Sequence, residues 1–167
     1  MGKPRVLVCR AIADEVIAQL QAHFEVRHNQ ADAAWTRAEL VAALQGCQGL
    51  FTTGAERIDA ELLQACPELR ICANMAVGYN NFALDAMTAA GVVGTNAPGV
   101  LTETTADFGF ALLLAAARRV GEGERYLRAG HWQRWEYNTL LGADVHGSTL
   151  GILGMGRIGQ ALARRGH

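Results

Sequence analysis

Residues 149–159 read Thr-Leu-Gly-Ile-Leu-Gly-Met-Gly-Arg-Ile-Gly, and no other stretch of the chain limits the fold so narrowly. Thr149-Leu150-Gly151-Ile152-Leu153 is a short apolar run that reads as a buried parallel strand. Gly154-Met155-Gly156-Arg157-Ile158-Gly159 then spells G-x-G-x-x-G, and Gln160 to Arg165 continues in good helix formers. Each glycine has its own task. Gly154 allows the tight turn off the strand, Gly156 lets a pyrophosphate approach the backbone, and Gly159 lets helix and strand pack closely. The helix start offers free N–H groups and a partial positive charge to the phosphates. A glycine pattern that leaves a strand and opens a helix points to a bound dinucleotide such as NAD or NADP. The competing reading is a glycine-rich turn with no ligand.

A complete dinucleotide unit needs a second strand, with a ribose-binding acidic residue about 20 residues beyond the glycines. The 167 residues stop at Gly166-His167, so the sequence is expected to be the front part of a longer enzyme. Half the residues are hydrophobic, ample for a core, and the net charge of −1 gives no electrostatic footprint for nucleic acid or an anionic membrane. Cys9, Cys47, Cys66 and Cys72 lack zinc-type or C-x-x-C spacing, and no secretory leader precedes them. They read as reduced, buried thiols of a cytoplasmic protein, and no metal site is expected. The apolar run Phe108 to Ala117 is too short to span a bilayer.

Strand and helix patterns alternate through the first hundred residues. Arg5 to Cys9 is a strand and Asp14 to Ala22 an amphipathic helix. Phe24 to Arg27 alternates like an edge strand. Thr36 caps a helix through Leu44, with Glu39 completing a capping box. Gly49 to Thr52 is a third strand, Asp59 to Ala65 a helix ended by Pro67, Leu69 to Ala73 a fourth strand, and Gly91 to Thr95 a fifth. That alternation predicts an α/β fold, a parallel sheet covered by helices, with the flavodoxin-like strand order favoured.

The loop Asn74 to Asn81 follows the fourth strand, at the carboxyl end where open α/β sheets bind ligands. Gly78 permits a nest that turns main-chain N–H groups toward an anion. The alternative is a plain strand-to-helix turn, with Asn80 or Asn81 capping a helix to Ala90. Both remain open on the residues alone. Asn96 to Gly99 reads as a turn. Thr102 is expected to cap a long helix through Arg119. The middle of that helix is apolar on every side, which requires burial all round and suggests a place between domains or subunits. Gly121 to Gly130 continues as an amphipathic helix, and His131 to Trp135 projects as an aromatic segment.

Three stretches carry a family resemblance: Ala76 to Asn81, Asn96 to Asp107, and Asp144 to Thr149 running into the glycine fingerprint. In order and spacing they resemble the D-isomer-specific 2-hydroxyacid dehydrogenases, most closely the glyoxylate/hydroxypyruvate reductase and 2-ketogluconate reductase branch. The resemblance implies an NAD(P)-dependent oxidoreductase that reduces small 2-oxo acids to D-2-hydroxy acids, with its active site in a cleft between two domains. Residues 1–100 would be the flavodoxin-like substrate domain. Residues 101–167 would be the truncated beginning of the Rossmann NAD(P) domain. By position, Val77 and Gly78 match the loop whose amides hold the substrate carboxylate, and Thr105 matches a residue near the nicotinamide. Gly154, Met155, Gly156, Arg157, Ile158 and Gly159 match the pyrophosphate turn. The apolar helix and the Trp132/Trp135 segment match a homodimer interface.

The family's catalytic Arg, Glu and His lie downstream of the fingerprint, so no catalytic residue is assigned in this chain. The five histidines fall in helix, edge, arm and linker contexts, and Asp144 with His146 reads as a surface turn rather than a dyad. A non-catalytic dinucleotide-sensing or binding module on the same scaffold is the alternative.

Overall fold

A computed structural model describes residues 2–167, which divide into two compact units at Pro98/Gly99. The first unit runs β1 (Arg5–Val8), α1 (Asp14–His23), β2 (Glu25–His28), α2 (Arg37–Leu44), β3 (Gly49–Thr52), α3 (Ala60–Ala65), β4 (Ile71–Asn74), α4 (Leu84–Ala89) and β5 (Val93–Thr95). All five strands are parallel, in the order β2-β1-β3-β4-β5. This is the flavodoxin-like order, with its switch point between β1 and β3.

Handedness explains the layering. Right-handed crossovers place a helix on one face when the chain steps from β1 to β2, and on the other when it steps from β2 through to β5. Helices α2, α3 and α4 therefore share a face with most of the core. Leu7, Leu50 and Cys72 from the strands pack with Leu40, Leu44, Leu62, Leu63 and Met87 from those helices. Each such side chain, fully buried, stabilises by about 1.5–3 kcal/mol. On the opposite face α1 contributes Ile17, while Ile71 and Val93 stay exposed.

Local chemistry fixes several ends as the residues predicted. Thr36 and Glu39 form a reciprocal capping box, with Thr36 N donating to Glu39 Oε2 at 2.7 Å. The Asp59 side chain caps α3 by accepting from Leu62 N. Cys9, Cys47, Cys66 and Cys72 are buried and unpaired with one another. Among the described residues no helix is long and apolar enough to cross a membrane.

The second unit comprises α5 (Thr102–Ala117), α6 (Val120–Arg128) and α7 (Arg157–Gly166), joined by irregular segments. Here three expectations fail. Thr102 does not cap α5; Leu101 occupies that position with no side-chain cap, and Thr102 is already helical. The long helix does not reach Arg119, which takes a left-handed conformation (φ 56°) that breaks α5 from α6. Such a backbone is costly for a residue with a Cβ. The Arg119 guanidinium holds it, donating to Glu122 at 2.6 and 2.8 Å and to the Leu141 carbonyl at 3.2 Å.

Third, Thr149 to Leu153 is not a buried strand. No ladder forms on it, because parallel pairing requires a neighbouring strand and none lies beside it. Its side chains pack on α7 instead: Leu150 lies against Gly166 and Ile152 against Gly159. Within the single chain α5 is covered along one side only. Ala106 is its one fully covered residue, while Phe108 and Leu112 are 65% and 54% exposed. The segment from His131 to Trp135 is irregular and exposed, as expected of a projecting arm.

Candidate functional site

The loop Asn74 to Asn81 leaves the carboxyl end of β4 beside Thr52 at the end of β3. Four of its carbonyls are held, two by the distant Asn96-Ala97 turn and two by donors within or next to the loop. Ala97 N donates to the Ala76 carbonyl at 2.9 Å. Asn96 Nδ2 donates to the Val77 carbonyl at 2.8 Å, and Asn74 Nδ2 to the Gly78 carbonyl at 2.8 Å. Phe82 N closes the turn on the Tyr79 carbonyl at 3.0 Å. Among the described residues, the backbone N–H groups of Val77, Gly78 and Tyr79 have no protein acceptor.

Both readings left open by the sequence need correcting here. Gly78 is not left-handed, so the loop is not a nest built on that glycine. Neither Asn80 nor Asn81 caps α4, whose N-cap is Ala83 with no side-chain bond. Asn81 turns inward instead. Its Nδ2 donates to the Glu56 carbonyl at 3.0 Å, and its Oδ1 accepts from Asn74 Nδ2 at 3.2 Å. At Gly78 a Cβ would meet nothing within 4 Å, so the space beside its bare amide is open.

Glu56 anchors the floor beneath the loop. Its carboxylate accepts from Thr52 Oγ1 at 2.5 Å, Thr53 N at 3.1 Å and Thr53 Oγ1 at 3.3 Å. Burial alone would push this carboxyl up, but those hydrogen bonds outweigh it and hold it below its ordinary value. Asn74 Oδ1 is buried with no partner. The chain thus gathers a bonded polar layer under a loop with free amides.

In the second unit Gly154 has φ 95°, the left-handed turn that the fingerprint requires. Gly159 lies so close to the Gly154 carbonyl that any Cβ would overlap it. Gly156 is the N-cap of α7, with extended ψ, no side-chain cap and open space where a Cβ would stand. The first backbone donor satisfied within this helix is Gln160 N, on the Gly156 carbonyl at 2.9 Å. The preceding amides are therefore free to meet an anion, and Met155, Arg157 and Ile158 are exposed around them. Thr105 is exposed in the first turns of α5.

Asp144 and His146 make no dyad. Asp144 Oδ1 accepts from Arg118 at 3.2 Å, Ser148 N closes a turn on the Val145 carbonyl, and His146 is exposed. Among the described residues no group of three His, Cys, Asp or Glu is placed to hold a metal ion. Asn74, Asn96 and Glu56, which hold the loop, were not singled out from the sequence. Asn96 looks locally like a turn residue, and its partner lies 19 residues away, beyond any local signal.

A family model described as D-isomer specific 2-hydroxyacid dehydrogenase, catalytic domain, matches residues 6–153. The chain belongs to the D-isomer specific 2-hydroxyacid dehydrogenase family. It is 48% identical over 164 residues to a glyoxylate reductase of Korarchaeum cryptofilum, covering 98% of this chain and 49% of that protein. It is 45% identical over 167 residues to the glyoxylate reductase of Thermococcus kodakarensis, covering 98% and 50%. Among solved structures it resembles the TT0316 protein of Thermus thermophilus, with TM-score 0.89 and 43% identity over 97% of this chain and 52% of the other. An NADPH-dependent glyoxylate/hydroxypyruvate reductase of Sinorhizobium meliloti, solved with NADP and malonate, matches with TM-score 0.75 and 36% identity over 98% and 50%. As a 2-hydroxyacid dehydrogenase family member, the chain spans about half the length of the curated relatives it matches.

Proposed function

We propose that this chain supplies the substrate-carboxylate loop and the first dinucleotide-binding turn of an NAD(P)-dependent reductase of small 2-oxo acids, such as glyoxylate or hydroxypyruvate. The observation that carries the reading is the run of unpaired amides at Val77, Gly78 and Tyr79 at the carboxyl end of a switch-point sheet. Bare main-chain donors in that position bind an anion without a counter-charge that would hold it too tightly to leave. The Sinorhizobium relative was solved with malonate, a small dicarboxylate, and with NADP.

In this reading residues 1–100 form the substrate domain and residues 101–167 begin the NAD(P) domain. Val77 and Gly78 hold the carboxylate, and Thr105 lies near the nicotinamide. Gly154, Met155, Gly156, Arg157, Ile158 and Gly159 face the pyrophosphate. The residues present fit such a group: Gly156 leaves the space a Cβ would fill, and the α7 N-terminus is uncapped. When bound, the cofactor supplies the hydride. Four buried, unpaired cysteines fit a reducing compartment such as the cytoplasm.

Isotope-edited NMR of the 167-residue chain tests the assignment directly. Oxalate is expected to shift the amides of residues 76–79, and NADP(H) or NAD(H) those of residues 154–159. The affinity for dinucleotide is expected to be weak, because ordinary ligand sites bury about 70–90% of their ligand and this turn covers little of it. NAD(P)H oxidation with glyoxylate is expected to be absent, since no arginine, glutamate or histidine here is assigned to the reacting centre. Shifts confined to other regions, or turnover at about 1–10³ s⁻¹, would overturn the reading.

A further inference from the structure

Three successive peptide groups in the β4 loop are pinned by their carbonyls, and the pins decide where the amides point. A trans peptide is planar, so its C=O and the following N–H point in opposite directions. Holding the Ala76 carbonyl on Ala97 N therefore aims the Val77 N–H the other way. Holding the Val77 carbonyl on Asn96 Nδ2 does the same for the Gly78 N–H. The donors at 96 and 97 are adjacent, so they draw both carbonyls to one side and leave both amides on the other. Asn74 Nδ2, on the Gly78 carbonyl, fixes the third peptide and with it the Tyr79 N–H.

The orientation of Asn74 is not free to reverse. Its Nδ2 faces two acceptors, the Gly78 carbonyl and Asn81 Oδ1. Exchanging the amide ends would set Asn74 Oδ1 against both of them. The orientation that remains leaves Oδ1 buried without a donor, a penalty that a plain packing residue would avoid. What the amide provides is donation toward the loop. Glu56 and Asn81 support it from below, Asn81 by bridging the Asn74 amide to the Glu56 carbonyl.

We propose that Asn96 and Asn74 are positioning residues for the substrate carboxylate, acting by pinning the Val77 and Gly78 carbonyls so that the loop amides stay turned toward the anion. This rests on the carboxylate-loop reading above. Neither side chain touches substrate. Each removes a peptide-flip freedom that would otherwise be lost on binding.

Asn96 is the position to alter, because it is exposed and its loss leaves the core intact. The ¹⁵N-labelled 167-residue chain is titrated with oxalate, as wild type and as Asn96→Leu, which keeps the size and removes the donor. In wild type the Val77 and Gly78 amides shift together. In Asn96→Leu the oxalate affinity falls about 3- to 10-fold, the worth of one hydrogen bond, while the thermal midpoint falls by no more than a few degrees because the bond is exposed and water replaces it. The Gly78 amide signal also broadens or doubles before oxalate is added, a signature that a purely structural turn residue would not produce. Asn96→Asp, with an acceptor against an acceptor, weakens binding at least as much. Failure of wild type to show any shift at Val77–Tyr79 overturns the carboxylate-loop reading itself. Equal binding by wild type and Asn96→Leu overturns the positioning role alone.

Discussion

The carbonyl oxygen of Gly154 lies directly over the Cα of Gly159, in space that any Cβ at position 159 would occupy. The turn and the first turn of α7 are therefore packed backbone against backbone. Gly156, two residues into the same motif, has nothing within 4 Å of a Cβ and φ −75°. The two glycines thus have separable consequences. Gly159→Ala forces the turn away from the helix and destabilises the second unit by about 1–3 kcal/mol, as overpacking does. Gly156→Ala, at an N-cap with open space around it, costs at most about 1 kcal/mol and weakens dinucleotide contact. Hydrogen exchange over residues 150–166, with a NADP(H) titration, separates them. Equal loss of protection in both variants would refute the distinction.

Glu56 makes the first unit acid-sensitive. Its carboxyl is held below the ordinary value of 4.5 by Thr52 and Thr53, against the pull of burial. A depressed folded pKa contributes stability that is complete above the unfolded value and is lost as pH falls through the folded one. Urea midpoints are expected to be level above about pH 5 and to fall below about pH 4.5. Glu56→Gln is expected to cost about 1 kcal/mol at pH 7 and to flatten that slope. An unchanged slope in the variant would place the acid response elsewhere. Asp32, held down to about 2 by its bonds from Arg10 and Ala11, adds a second loss at lower pH.

The four thiols are expected to be inert in the folded chain. Burial pushes all of them up, Cys72 to about 12. Only the thiolate attacks an alkylating reagent. Mass spectrometry after iodoacetamide at pH 8 is expected to show no adduct on the native chain and four after denaturation. A native adduct on any one cysteine would show that its cover opens readily.

What the sequence revealed and what it concealed follow one physical line. Strand β3 lies at Gly49–Thr52 as expected, and the Thr36/Glu39 box forms, because apolar alternation and cap geometry are settled within a few residues. Parallel pairing followed from the alternation of strands and helices, and the strand order found, β2-β1-β3-β4-β5, is the favoured flavodoxin-like one. Thr149 to Leu153 carries a strand's composition yet makes no ladder, since a ladder also needs a partner that composition cannot supply. Asn96 and Asn74 escaped notice for a related reason. Asn96 lies 19 residues from the carbonyl it holds, and Asn74 acts across the loop it opens. An asparagine in Asn-Ala-Pro-Gly looks locally like any turn residue. The all-apolar middle of α5 was legible as a demand for cover, but not what provides it.

That demand gives the last prediction. One side of α5 packs on α7 through Ala106, with Gly109 against Leu162. Turned away from it, Leu101, Phe108 and Leu112 fall on a common face at helical spacing, all three exposed. Trp132 and Trp135 add exposed aromatic surface in the same unit. Fully burying one large apolar side chain stabilises by about 1.5–3 kcal/mol, so leaving several wet consumes much of a small domain's stability of about 5–15 kcal/mol. A contiguous apolar patch of this kind normally marks an interface. A two-fold dimer through α5 is expected, each copy covering the same face of the other. Light scattering coupled to gel filtration is expected to give twice the chain mass at micromolar concentration. Leu112→Glu places a charge in the centre of the contact and is expected to give a monomer with an unchanged first unit. A wild-type monomer under those conditions, with Phe108 to Leu112 protected from hydrogen exchange, would show that α5 finds its cover without a second copy.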